Sequence, residues 1–238
     1  IALYLVGMNS IVLKSKESRM TSGIRDIVRE IARRKLVGTE IVSESSSEMV
    51  LQVLLSYPEL SVESALRRMV TIADQMHRDS VLALCENKHD LAAQVLKSDD
   101  EVDRFSFYIV RLLKQAVEDP GLMKEIGLNS LRDCLGYRLI TKSVERIADH
   151  SARIAEHSTE LTKALTPRLA GRMRELSDFC STQFQEASQA LFRSDYSMAD
   201  QVLAGQDRAE ALESEMEKQI YKQNLSPEDI SGLRLILE

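Results

Sequence analysis

Apolar side chains recur every three or four positions along most of this chain, and only near its start do they alternate. Alternation marks a half-buried strand, and 3–4 spacing marks one face of a helix. Ser10–Lys16 reads as a strand. Thr21 or Ser22 can cap a helix running to about Lys35, in which Ile24, Ile27, Val28 and Ile31 share a face. Gly38 follows Arg33-Arg34-Lys35, the chemistry expected at a helix C-terminus. Thr39–Ser43 and Glu48–Leu54 read as strands, with Ser45-Ser46-Ser47 as the turn between them. Residues 1–57 are thus predicted to form a small α/β segment.

Tyr57-Pro58 ends that pattern, and Ser61-x-x-Ser64 with Glu63 opens a helix. Helices are predicted over 61–86, 89–118, 129–164, 168–193 and 196–223, with a sixth starting near Pro227 behind a capping Ser226. The breaks fall at Asn87-Lys88, Asp119-Pro120-Gly121, Thr166-Pro167, Ser194-Asp195 and Asn224–Pro227. Connections this short make neighbouring helices antiparallel, so the expected architecture is an up-down bundle.

The helical part repeats itself. Ala92-Ala93-Gln94-Val95-Leu96 recurs as Ala199-Asp200-Gln201-Val202-Leu203, and in the same register Asp100 matches Asp207 and Asp103 matches Glu210. Gly136-Tyr137-Arg138-Leu139-Ile140 recurs as Gly232-Leu233-Arg234-Leu235-Ile236. Between the two matches the offset shortens by about 11 residues, roughly three helical turns, as a shorter hairpin in the second copy requires. The fold class expected is mainly α: two tandem three-helix-bundle repeats over residues 58–165 and 166–238, preceded by the α/β segment at 1–57. The second copy stops at Glu238, which matches Lys142, and reads as truncated. The chain starts at Ile1 inside an apolar stretch, so an upstream part is expected as well.

Composition agrees with long helices. Of 238 residues 44% are hydrophobic and 29% charged, with only 9 Gly and 4 Pro. A net charge of −6 speaks against non-specific nucleic-acid binding and suits cations. Cys85, Cys134 and Cys180 are far apart and form no Cys-x-x-Cys, so they read as reduced core thiols of a cytoplasmic protein. No apolar run reaches the ~18 residues of a membrane span, and Ile1–Met8 lacks the flanks of a signal peptide.

Two acidic pairs are the main candidate chemistry. Asp99 and Asp103 enclose Asp100 and Glu101, and Glu145 and Asp149 form the second pair. Spacing of i,i+4 puts both carboxylates of a pair on one helix face, and two such faces can converge on Mg, Ca, Mn or iron. The other reading is a solvated, salt-bridged face, with Arg153 beside Asp149 and with Lys97 and Arg104 beside the first cluster. His150 and His157 read as surface or packing histidines. Glu86-x-x-His89 has di-iron spacing, but it occurs once and straddles a helix break. No phosphate loop, nucleophile elbow or catalytic triad is legible, so no catalytic residue is assigned and no enzymatic activity is expected. The basic run Arg29, Arg33, Arg34 and Lys35 reads as a complement to the helix dipole.

Val144-Glu145-Arg146-Ile147-Ala148-Asp149-His150-Ser151-Ala152-Arg153-Ile154-Ala155-Glu156 resembles the Glu-Arg-Ile-x-Asp-His-x-x-x-Ile-Ala-Glu signature of the PhoU family, and Asp99-Asp100-Glu101-Val102-Asp103 resembles its Asp-x-x-Val/Ile-Asp motif. The resemblance covers about residues 60–238. The front segment and Leu60–Met69 resemble archaeal-type members, in which an AbrB-like, DNA-binding domain often comes first. The resemblance implies two three-helix bundles and metal clusters on Glu/Asp-x-x-x-Asp motifs. It implies repression of phosphate uptake through the ATPase of the phosphate ABC transporter (Pst) or a signalling protein.

Carried onto this chain, the metal candidates are Asp99, Asp103, Glu145 and Asp149. In the second copy they are Asp207 and Glu210, where Gln206 replaces the residue matching Asp99. The implied metal is iron, zinc or another divalent ion. The expectation is a non-enzymatic, cytoplasmic regulator of phosphate homeostasis that works by protein–protein contact as a homo-oligomer such as a dimer. This segment is not expected to bind nucleic acid directly. The alternatives are a transcription regulator whose DNA-binding domain lies upstream of Ile1, and a carboxylate-bridged metalloenzyme.

Overall fold

The computed structural model describes residues 1–55, 60–222 and 226–237. The Tyr57-Pro58 break and Asn224-Leu225 of the Asn224–Pro227 connection lie outside the described residues. The chain is mainly helical with one small sheet. In order, the elements are α1 (Ala2–Leu5), β1 (Ser10–Lys14), α2 (Ser22–Lys35), β2 (Thr39–Glu44), β3 (Glu48–Val53), α3 (Val62–Glu86), α4 (His89–Glu118), α5 (Pro120–Glu125), α6 (Leu131–Glu160), α7 (Pro167–Arg193), α8 (Tyr196–Ala204), α9 (Gln206–Tyr221) and α10 (Pro227–Leu237).

The helix starts that the sequence marked fall within two residues of those observed. Thr21 accepts from the Ile24 amide at 3.3 Å, and Ser61 Oγ accepts from the Ser64 amide at 3.1 Å. Thr166 caps α7 with Pro167 in its first turn, and Asp195 caps α8. Helices α3 and α4 are separated at Asn87, whose φ of 54° is left-handed.

Two short helices join those the pattern predicts, and two predicted helices need correction. Ile1–Met8 contains a short helix, fixed because Tyr4 is fully buried and donates its hydroxyl to the Val37 carbonyl at 3.1 Å. Asp119-Pro120-Gly121 ends α4 and also starts α5: Asp119 Oδ1 accepts from the Gly121 and Leu122 amides. Helix α6 stops at Glu160, not 164, because Asp229 takes the Thr162 amide at 3.0 Å and its hydroxyl at 2.6 Å. The helix predicted over 196–223 is two helices, α8 and α9, parted at Gly205. There the amide bonds to Val202, three residues back, and the Gln183 side chain lies where a Cβ would stand.

The chain folds as two compact units. The first comprises Ile1–Met69 and Asp100–Glu145, and the second Val70–Asp99 and Arg146–Glu238. Helices α3, α4 and α6 contribute residues to both.

In the first unit β3 is the central strand, in the order β1-β3-β2, all antiparallel. Ser10 faces Gln52 and Lys14 faces Glu48, while a bulge at Val42 shifts the β2–β3 register. The sheet and α2 close over a core of Tyr4, Ile11, Ala32, Leu36, Leu51 and Val53, onto which Phe107 of α4 packs.

In the second unit Val81 and Leu84 of α3, Ile154 of α6, Leu169 and Met173 of α7, Met216 and Ile220 of α9 and Leu233 of α10 share one core. The residue pattern of the second repeat therefore produces buried faces on α7, α9 and α10.

Candidate functional site: the acidic face of α4

The first acidic motif lies mid-helix on α4, where Asp100 and Asp103 project from the part belonging to the first unit. Opposite them α2 ends. Ala32 of α2 and Leu36 just after it are buried in the core of that unit, which sets the helix register and turns its last basic residues toward α4. Lys35 Nζ lies 2.5 Å from Asp100 Oδ1 and 2.8 Å from Asp103 Oδ2. The Arg34 guanidinium also pairs with Asp100 and with Glu30. The two carboxylates raise the Lys35 pKa against the burial that would lower it. The partners of Asp100 and Asp103 thus come from α2, not from Lys97 or Arg104. The Arg104 Nε is in fact buried without a hydrogen-bond partner.

Of the basic run at the end of α2, Arg29, Arg34 and Lys35 form ion pairs. Arg29 binds both oxygens of Glu44 at 2.8 and 2.9 Å, and Arg25 adds Glu44 at 2.9 Å. These guanidinium groups hold the Glu44 carboxyl below the usual carboxylate range.

Of the other candidates, Glu145 is half-buried and pairs with Lys142 one turn earlier on α6. Asp99 and Asp149 belong to the second unit and are half-buried. Asp207 and Glu210 are exposed on α9, where Glu210 accepts from Gln206 at 2.9 Å. Among the described residues no group of three or more His, Cys, Asp or Glu side chains is drawn together to hold an ion. In this arrangement Lys35 and Arg34 neutralise the first motif. Glu86 pairs with Lys88 at 2.6 Å and with Arg174 at 3.3 Å, and His157 lies 3.1 Å from Glu160.

The three cysteines are free, but they are not all core thiols: Cys134 is buried, Cys85 intermediate and Cys180 exposed.

A polar cluster in the second unit was not legible in the sequence. Asp74 of α3 is buried and accepts from Ser181 Oγ, from Gln185 Nε2 at 2.8 Å and from Arg78 Nε at 3.1 Å. One turn along α3, His77 Nε2 lies 3.0 Å from Ser177 Oγ and 3.3 Å from the Ser177 carbonyl oxygen. Burial pushes the His77 pKa down. Asp74 spends its hydrogen bonds on Ser181, Gln185 and Arg78, so the set ties α3 to α7 and does not form an Asp-His-Ser relay. Asp74 and His77 sit three apart on a largely apolar face, and that was the available signal.

The fold and this face define a class, a helical bundle whose long helices carry acidic motifs. Residues 66–158 match the family model of the PhoU domain. The crystal structure of PhoU from Pseudomonas aeruginosa has a similar fold, with a TM-score of 0.65 and 20% sequence identity over 74% of this chain and 85% of that chain. No curated protein matches the chain. The family match covers both acidic motifs, on which the sequence resemblance rested. Among the described residues no helix is long and apolar enough to cross a membrane.

Proposed function

We propose that this protein is a non-enzymatic regulator of phosphate uptake and phosphate homeostasis that acts by protein–protein contact in the cytoplasm. The observation that carries the reading is the match of residues 66–158 to the PhoU domain model. The surface of the first unit supports contact as the mode of action. Leu131, Leu135 and Leu139 of α6 repeat every four residues and are 59%, 63% and 63% exposed. They form an apolar stripe about 12 Å long. Three large apolar side chains at that spacing suit a partner helix. Arg132, Arg138 and Lys142 flank the stripe and are exposed too, which favours a partner with acidic residues. On this reading the partner is the ATPase of the phosphate ABC transporter or a phosphate-signalling protein. A metal ion on the acidic faces would tune or stiffen the bundle and would not drive chemistry.

The test is phosphate uptake and phosphate-responsive expression in the host after deletion of the gene. Derepressed uptake at high phosphate, restored by the wild-type chain but not by L135E/L139E, is the expected result. Unchanged uptake and expression in the deletion strain would sink the reading.

A further inference from the structure

We propose that the open edge of β2, with the groove between it and α2, takes up an extended acidic segment of a partner protein as a fourth strand of the sheet. The strand order is β1-β3-β2, so among the described residues β2 pairs with β3 alone. Its other edge presents alternate backbone N–H and C=O groups, which a further strand can pair. A groove of about 300 Å3 is walled by Arg29, Ala32 and Arg33 of α2 and by the whole of β2. No residue of β3 lines it, so it opens on the unpaired side of β2. With a strand on one wall and a helix on the other, added backbone can pair with the edge while its side chains meet the helix.

Two polar groups lining this groove lack partners, and both call for an acid. Thr39 is 6% exposed, and its Oγ1 is buried with no hydrogen-bond partner among the described residues. A buried hydroxyl left so is costly, and a carboxylate beside it would accept its hydrogen bond. Arg25, Arg29 and Arg33 stand four apart on α2 and share a face. Arg25 and Arg29 hold Glu44, whereas Arg33 is exposed and has no ion-pair partner among the described residues. Thr39 and Ile41 are two apart on the strand face turned to α2, the first buried and the second half-buried. An incoming strand therefore meets them with an acidic residue near Thr39 and Arg33 and an apolar residue two positions away. A second copy of β2 does not supply that acid. Its Glu44 is already held by Arg25 and Arg29, and Glu40 belongs to the strand face opposite Thr39. The bulge at Val42 further discourages such self-pairing. This surface lies on α2 and β2, not on α6, and its occupation does not depend on the regulatory role proposed above.

The test uses the full chain and a capped ten-residue peptide in which Glu and Val stand two apart among Thr and Ser residues. Its twin carries Gln in place of Glu. Binding is followed by fluorescence anisotropy and by amide NMR. The Glu peptide should bind about tenfold more tightly than its twin and shift the amide resonances of residues 39–44. R33Q should weaken the Glu peptide about tenfold and T39V about threefold, with little change for the twin. N-methylation of one alternate set of peptide amides should abolish binding, and of the other set should not, as a paired strand requires. Circular dichroism checks that each variant is folded, and T39V carries the test if R33Q is not. No binding of the Glu peptide, equal binding of both peptides, affinity unchanged in both variants, or indifference to N-methylation overturns the proposal. So do resonances of residues 39–44 that move on dilution of the free protein, which would assign the edge to a second copy.

Discussion

The Arg111 guanidinium is fully buried against Tyr4, lying 4.9 Å from its ring centre and donating to its carbonyl oxygen at 2.7 Å. The same group donates to the Met8 carbonyl at 3.0 Å and to Asn9 Oδ1 at 2.5 Å. One α4 side chain thereby ties down the backbone where α1 ends, adding to the Gly7 amide bond that Tyr4 already accepts, and it stacks on the ring that the first core closes around.

Arg111→Met should therefore cost on the order of 3 kcal/mol, because the buried Tyr4 carbonyl, the Met8 carbonyl and Asn9 Oδ1 would all lose a charged donor and the Tyr4 ring its cation. The checks are thermal unfolding and amide exchange. Exchange should rise first in residues 2–9 and β1, while the core of α7 and α9 stays protected. Uniform loss of protection across both units would contradict this local role.

Core and surface leucines should separate cleanly. Leu169 and Leu233 are both fully buried in the second unit, so truncation of either to Ala should cost about 2–5 kcal/mol. Leu135 and Leu139 are mostly exposed, and Ala there should change stability by less than about 0.5 kcal/mol. If the stripe docks a partner, the same two surface changes should still impair phosphate repression in the host. A loss of stability comparable to the core variants would show instead that the stripe is packed.

Much of the fold was legible because its signals are local. Capping at Thr21 and Ser61, the breaks at Thr166-Pro167 and Ser194-Asp195, and the 3–4 spacing behind each placed the helices to within a few residues. Gly205 was missed because a glycine inside a helical pattern reads as tolerated. What decides the break is the approach of Gln183, which no local pattern records. The acidic face of α4 was legible as a cluster, but its counter-ions were sought among neighbours in sequence. Lys35 is 68 positions from Asp103, and it arrives there through the packing of Leu36. Charges pair through space, so periodicity can announce a charged face without naming what neutralises it.

Acidification should weaken the second unit through His77. Its pKa is depressed below the ordinary value of 6.5, chiefly by burial. The Ser177 carbonyl, Asp74 and Asp178 pull it up, and Arg78 pushes it further down. Cys180 and Glu213 line the same small cavity of about 150 Å3. A histidine with a folded pKa below its unfolded one binds protons more readily in the unfolded chain. Its stabilising contribution is thus complete above about pH 6.5 and is lost as the pH falls through that value toward the folded pKa. Asp74 and Asp229, whose pKa values are lowered, lose their contributions only below the ordinary aspartate value of 3.8. Melting temperature should therefore decline between about pH 6.5 and 5 in the wild type, before the carboxylates titrate. In His77→Gln, which keeps a polar group near Ser177 without a titrating ring, that decline should flatten while the loss below pH 4 remains. An equally steep decline in both proteins would assign the acid sensitivity to other groups.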